Sequence, residues 1–161
     1  MLSMLLTVAL MCSYIEALFP IYLGVPGARL GLTNIVIVLV LYLYGPYEAI
    51  LINLMRILLV GFLFTNLYSV MFSLSGAICS YVIMLLFYKR KTFSVIGVSI
   101  LGGVFHNIGQ LIMAGCIIED SAILFYLPML LLMGTATGLI LGILDGILIP
   151  VIKRIIVPGG K

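Results

Sequence analysis

The chain has 161 residues, of which 65% are hydrophobic and 8% are charged, and its formal net charge is +3. A soluble domain is about 45–50% apolar and about 25% charged, so this chain has too few polar side chains to cover a surface in water. Its eight basic residues form no basic stripe, which excludes a nucleic-acid-binding protein. The apolar composition also excludes a disordered chain. We therefore expect an integral membrane protein whose few polar residues carry the function.

Proline, glycine and charged residues divide the sequence into six apolar segments, each predicted to be a transmembrane helix. The predicted spans are residues 2–19, 32–44, 47–65, 66–88, 92–118 and 121–152. The first lacks the basic start and the cleavage site of a signal peptide, so we expect it to be retained. The second has only thirteen residues and needs a thin bilayer or shielding by its neighbours. The predicted fold is a single all-α membrane domain over residues 1–161, a compact bundle of about six helices.

Basic residues concentrate at the ends of two predicted spans. Lys89, Arg90 and Lys91 follow the fourth span, and Lys153, Arg154 and Lys161 follow the sixth. The opposite side of the membrane then holds one base, Arg29, together with the acids Glu119 and Asp120. Because short cytoplasmic loops carry an excess of Lys and Arg, we expect both termini to lie in the cytoplasm.

Small residues at a four-residue spacing predict close helix packing, which lipid-embedded helices need in place of a hydrophobic driving force. The rows are Gly134, Gly138, Gly142 and Gly146 in the sixth span, Ser69, Ser73 and Ala77 in the fourth, and Ala9, Ser13 and Ala17 in the first. We interpret the rows of the fourth and sixth spans as packing within the chain. The row of the first span either packs within the chain or docks another membrane subunit.

Polar residues inside the spans are the candidates for function, because ionisable groups are costly in a bilayer. These residues are Glu16, Asn53, Arg56, His106, Asn107, Gln110 and Asp145. Two interpretations stay open. In one, Arg56 pairs with Asp145 or Glu16, and the amide side chains bond between helices. In the other, the groups around Arg56 and His106 line a cavity and hold the polar head of a ligand.

The segment between the first two spans has an unusual composition. Residues 24–31 contain three glycines together with Pro26 and Arg29. Their number and their glycine content exceed what a plain connection between two helices needs. We expect either a re-entrant cap over a binding site or a simple connector.

The sequence lacks the residues that several kinds of chemistry require. The five acidic residues include no aspartate-rich cluster to hold Mg²⁺ on a diphosphate, and no P-loop sequence is present. The single histidine completes neither a catalytic triad nor, with three scattered cysteines, a zinc site. The sequence therefore predicts a protein that is not an enzyme and that has no catalytic residue, cofactor or metal.

Three parts of the sequence resemble a bacterial family called heptaprenyl diphosphate synthase component I, or the Gx transporter family. They are residues 26–34 (Pro-Gly-Ala-Arg-Leu-Gly-Leu-Thr-Asn), Arg56, and residues 102–110 (Gly-Gly-Val-Phe-His-Asn-Ile-Gly-Gln). In size and layout the chain is also similar to the S components of energy-coupling factor (ECF) transporters. These are six-helix proteins that capture a small molecule from outside the cell. The resemblance implies a bacterial cytoplasmic (inner) membrane.

The similarity to S components implies an uptake protein for a small molecule, powered by a transmembrane coupling subunit and ATPase subunits. It places partner docking on the first helix and a cap over the ligand at residues 26–34. The docking candidates are Ala9, Ser13 and Ala17, and the ligand-binding candidates are Arg29, Asn34, Asn53, Arg56, His106, Asn107 and Gln110. The family name alone implies that the ligand is isoprenoid- or quinone-related.

Two alternatives to the uptake protein stay open. The synthase name implies a non-catalytic membrane accessory subunit of a prenyl diphosphate synthase. A structural subunit of a quinone-handling or redox membrane complex is the third possibility. We favour the uptake protein at this stage, because the chain lacks the aspartates that prenyl chain elongation requires.

Overall fold

The computed structural model describes residues 1–18, 31–64, 66–90, 93–118 and 121–156, without the side chains of residues 121 and 122. The described residues form six α-helices and one 3-10 helix, and they contain no strand. The α-helices are α1 (Leu2–Leu18), α2 (Asn34–Leu43), α3 (Pro46–Phe64), α4 (Leu67–Arg90), α5 (Val95–Ile118) and α6 (Leu127–Ile156). The 3-10 helix (Ser121–Tyr126) lies directly before α6. The all-helical class predicted from the composition is confirmed.

Four helices of the described chain, not six, are long and apolar enough to cross a membrane. They are α3, α4, α5 and the segment Ile123–Ile156, which includes α6. α1 has 17 residues and α2 has 10. At 1.5 Å per residue α2 is about 15 Å long, half of a hydrocarbon core of about 30 Å. The helix at the predicted second span is therefore too short to cross the membrane. It begins only at Asn34, and the chain turns at Gly45, which has a φ of 123°.

α2 is the central helix of the bundle. Residues 36–41 are all buried, and α2 contacts α1, α3, α5 and α6. A helix that is hydrophobic on every side suits such a position, because it has no polar face to present to solvent. The neighbouring helices therefore provide the shielding that so short an apolar helix needs.

α5 and α6 approach each other closely along the glycines of α6. A Cβ atom added at Gly138 would lie 2.7 Å from the Ile100 Cα, and one added at Gly142 would lie 2.9 Å from the Ile96 Cα. Gly134 packs in the same way against the backbone of α5. A Cβ at Gly146 would meet no described atom within 4 Å. The predicted row thus packs within the chain at its first three positions, and Gly146 lies outside the contact.

α4 packs against the other side of α5. Gly109 of α5 lies against the Ser75 backbone, and the Ser75 Oγ donates a hydrogen bond to the Gly109 carbonyl oxygen over 2.6 Å. Ser73 and Ala77 of the predicted row are buried. Because α5 lies between α4 and α6, its polar side chains are held inside the bundle.

The small residues of α1 face the interior. Ala9 and Ser13 have no exposed surface, and Ala17 is half-buried. The exposed side of α1 carries larger apolar side chains such as Met4 and Met11. The chain's own helices cover Ala9 and Ser13, so the row packs within the chain in this structure, and docking of another subunit on α1 stays a prediction.

Candidate functional site

Arg56 lies inside the bundle and connects three helical segments. Its side chain is 3% exposed. Its Nε donates to Asn53 Oδ1 over 3.0 Å, one turn earlier on α3. Its Nη1 donates to Ser13 Oγ of α1 over 3.1 Å and to Thr33 Oγ1, just before α2, over 3.3 Å. We call Ser13, Glu16, Thr33, Asn53 and Arg56 the arginine cluster.

Glu16 supplies the negative charge of the arginine cluster. Its Oε1 accepts a hydrogen bond from the Leu32 backbone N–H over 2.6 Å, and its Oε2 accepts one from Thr33 Oγ1 over 3.5 Å. A carboxylate at the start of a helix is favoured, because the first N–H groups carry a partial positive charge. Glu16 and Arg56 both bond to Thr33, so the buried guanidinium has an opposite charge nearby.

Of the two predicted partners of Arg56, the structure places only Glu16 in its cluster. Neither oxygen of Asp145 accepts a hydrogen bond from any residue in the described part of the chain. Of the two alternatives, Glu16 therefore agrees with the structure, because it shares Thr33 with Arg56, and Asp145 does not. Asp145 follows Gly142 by less than one turn on α6, whereas Arg56 bonds to residues of α1, α3 and the start of α2.

His106 and Gln110 form a second polar group, one turn apart on α5. His106 Nε2 and Gln110 Nε2 lie 3.0 Å apart. Because an amide nitrogen can only donate, His106 Nε2 is the acceptor in this geometry. Gly31 and Gly76 lie against the His106 ring. A Cβ atom added at Gly31 would lie 3.3 Å from the nearest ring atom, and one added at Gly76 would lie 2.8 Å from its nearest ring atom. The same Cβ at Gly31 would lie 3.4 Å from Asn34 Nδ2, so Gly31 lies beside both side chains. We call Gly31, Asn34, Gly76, His106 and Gln110 the histidine cluster.

The two clusters meet at the start of α2. Thr33 belongs to the arginine cluster, and the next residue, Asn34, belongs to the histidine cluster. Asn34 Nδ2 is buried and donates to no acceptor among the described residues. A buried donor without an acceptor costs about 1–3 kcal/mol, so an acceptor atom of a ligand would gain free energy here. Arg56, Asn34 and His106 therefore make the start of α2 the best candidate for a ligand site in the described bundle.

Asn107 has a different position from its neighbour His106. Its Nδ2 donates to the Leu130 carbonyl oxygen of α6 over 2.8 Å, and it also lies against Gly134. Its side chain is 1% exposed. Asn107 therefore bonds α5 to α6 and takes no part in the histidine cluster.

Replacing Asn107 by alanine should lower the free energy of unfolding by about 1–3 kcal/mol, because it leaves the buried Leu130 carbonyl oxygen without a donor. The measurement is unfolding in mixed micelles followed by circular dichroism. Thr135→Ala is the matched control, since the Thr135 hydroxyl is exposed and bonds only within α6. We expect the control to change stability by less than about 0.5 kcal/mol. Equal stability of the two variants would contradict this role of Asn107.

The structure brings together five of the seven predicted ligand residues. Asn53 and Arg56 lie in the arginine cluster, and Asn34, His106 and Gln110 lie in the histidine cluster. Asn107 faces α6 instead. Arg29 lies outside the described residues, as does the predicted cap up to residue 30.

Sequence reasoning placed Gly31 and Thr33 within the predicted cap but did not name them as ligand residues, and it missed Gly76. Thr33 stands directly before an apolar helix, where threonine is a common cap, and this position could have marked it. Gly31 has a φ of 81°, a conformation that glycine adopts without strain. The packing of Gly31 against His106 joins residues far apart in the sequence, and no local pattern could reveal it.

The fold and the buried clusters define a class: a helical membrane protein whose polar side chains meet inside the bundle. A family model for heptaprenyl diphosphate synthase component I matches residues 5–148, and the chain belongs to this family. The matched residues include both clusters. A component I implies a partner subunit in a synthase complex. No curated protein matches the chain, and no solved structure does.

Proposed function

We propose that the chain is the non-catalytic membrane component of a prenyl diphosphate synthase and works beside a separate catalytic subunit. The observation that carries this proposal is the family match over residues 5–148 of an apolar helical bundle. Chain elongation needs Mg²⁺ held on a diphosphate by several carboxylates, and the five acidic residues of this sequence are too scattered to supply them. We therefore assign the elongation chemistry to the partner, and we keep the predicted orientation with both termini in the cytoplasm.

The buried clusters support a binding role for this component. A prenyl diphosphate has an anionic head and a long apolar tail. Glu16 already occupies the Leu32 N–H and contacts Thr33, so a second anion would be repelled on that side. We therefore place the polar head of the ligand on the other side of the junction, against Asn34 and His106. The exposed apolar sides of the helices around α2 suit the tail.

Product length is the measurement that tests the accessory role. The catalytic subunit is assayed in vesicles with and without this chain, and the prenyl products are separated by length. We expect long-chain products only when both components are present. The proposal fails if the catalytic subunit alone gives the same products at the same rate.

Variants of the histidine cluster test the binding role, measured as binding of a prenyl diphosphate to the same vesicles. His106→Ala and Gln110→Ala each remove hydrogen-bonding capacity worth about 0.5–1.5 kcal/mol, so we expect roughly two- to tenfold weaker ligand binding. Thr135→Ala serves as the control and should bind as the wild type does. If both cluster variants instead unfold while Thr135→Ala remains monodisperse, these side chains bond helices together and do not bind a ligand.

A second candidate is an uptake protein of the S-component kind, and the position of the two clusters favours it. They meet around the start of the enclosed helix α2, where a captured small molecule would be surrounded by helices. An affinity-tagged chain purified in mild detergent separates the candidates. Co-purification of a transmembrane coupling subunit and ATPase subunits supports uptake, whereas co-purification of a prenyl diphosphate synthase supports the accessory role. Mass spectrometry of small molecules extracted from the same preparation identifies the ligand.

A further inference from the structure

Asp145 is the most completely buried charged side chain in the described part of the chain. It has no exposed surface, and neither Oδ1 nor Oδ2 has a hydrogen-bond partner among the described residues. It follows Gly142 on α6, and Gly142 is pressed against Ile96 and Ser99 in the first turns of α5. The carboxyl group is therefore enclosed in the packed bundle, away from the arginine and histidine clusters.

The described elements packed against α6 bring no basic side chain to this carboxyl group. They are α2, α5 and the 3-10 helix. Tyr42 is the titratable side chain of α2, and it interacts electrostatically with Asp145. The 3-10 helix carries Tyr126. α5 carries Cys116 near its far end and His106, whose Nε2 faces Gln110 in the histidine cluster.

The nearest bases along α6 are Lys153 and Arg154. They follow Asp145 by eight and nine residues, which is roughly 12 Å along the helix axis. Both side chains are exposed, and long basic side chains at a helix end extend toward the membrane surface. An ionised carboxylate without a partner is strongly disfavoured in an apolar interior, and such a group takes up a proton instead.

We propose that Asp145 is a proton-binding site inside the bundle and that its carboxyl group is protonated at neutral pH while α2, α5 and α6 are packed together. Release breaks the carboxyl O–H bond and transfers the proton to water. The carboxylate left behind needs water or a cation to stabilise it, so release requires α6 to separate from its neighbours. Proton binding at Asp145 is therefore linked to the packing of α6. This site is independent of any ligand bound by the two clusters.

The sequence makes a direct test possible, because Asp120 and Asp145 are its only aspartates. An Asp120→Asn chain is produced with ¹³C-carboxyl aspartate and reconstituted in vesicles, so that Asp145 gives the only labelled infrared signal. An ordinary aspartate is protonated in roughly one molecule in a thousand at pH 7. We expect more than half of Asp145 to be protonated, a rise of several hundredfold, seen as the carbonyl band of a carboxylic acid. A full carboxylate band at this pH would overturn the proposal.

Labelling by dicyclohexylcarbodiimide, an apolar reagent for protonated carboxyl groups in membranes, gives a second measurement on the wild-type chain. Because Asp145 is enclosed, the reagent should reach it slowly, as α6 separates from its neighbours. Mass spectrometry should find the label at Asp145, and Glu48, half-buried in the first turn of α3, is the internal reference. Asp145→Asn should lose the label. Protection by Na⁺ at constant pH would indicate a metal-ion site instead and would overturn the proposal. The wild-type labelling and the infrared spectrum decide the question even if Asp145→Asn does not fold.

Discussion

Arg56→Ala is expected to lower the free energy of unfolding by about 3–5 kcal/mol, the cost of removing one charge from a buried group that holds both signs. Arg56 donates to Ser13 of α1, to Thr33 at the start of α2 and to Asn53 of α3. Without the guanidinium, the Glu16 carboxylate stays buried with less positive charge near it. The loss should therefore separate α1 and α2 from α3. Unfolding in mixed micelles, followed by circular dichroism, measures the change.

Two further variants test whether the lost stability comes from the guanidinium group of Arg56. Lys89→Ala removes an exposed base at the end of α4 and should change stability by less than about 0.5 kcal/mol. Arg56→Lys keeps the charge but loses the planar group that reaches several acceptors at once, so an intermediate loss is expected. If Arg56→Ala were as stable as the wild type, the arginine cluster would not hold the three helices together.

The sequence predicts the ends of most helices well but not the central position of α2. The structure places α3, α4 and α5 within three residues of the predicted ends, because glycine, proline and charged residues mark their limits. The ends of α2 also lie within three residues of the prediction, but its enclosure by four helices is a tertiary property that its uniform apolar sequence does not encode. At the other end of the chain, Pro150 lies inside α6 and does not end it. The predicted last span divides instead into a 3-10 helix and α6.

The candidate site could be predicted as a set of residues but not as a set of contacts. Polar side chains are easily recognised inside apolar segments of the sequence, and Arg56 and His106 are predicted in this way. Their partners depend on contacts across the bundle: Ser13 precedes Arg56 by 43 residues, and its hydroxyl bonds to it directly. The same limitation explains why the sequence could not decide between Asp145 and Glu16 as the partner of Arg56. The charges of Arg56 and Asp145 are complementary, but the helices place them apart.

Alanine at Gly138 should lower the free energy of unfolding, whereas alanine at Gly146 should leave it unchanged or raise it. At Gly138 the new Cβ would lie 2.7 Å from the Ile100 Cα and 2.8 Å from the Ser99 carbonyl oxygen. Backbone atoms cannot rotate away as a side chain can, so α5 and α6 must separate. Overpacking of this kind costs typically 1–3 kcal/mol, and Gly138→Leu should cost more. At Gly146 the Cβ meets no described atom within 4 Å.

Gly146→Ala is therefore the matched control, two turns along the same helix and in the same four-residue row. Alanine has a higher helix propensity than glycine by about 1 kcal/mol, so we expect this variant to be as stable as the wild type or more stable. The free energy of unfolding of the two variants, measured side by side in mixed micelles, gives the comparison. A loss at Gly146 as large as that at Gly138 would contradict the α5–α6 contact, because the four glycines would then face a common surface. Opposite signs would establish that α6 turns its first three glycines toward α5 and leaves the fourth outside.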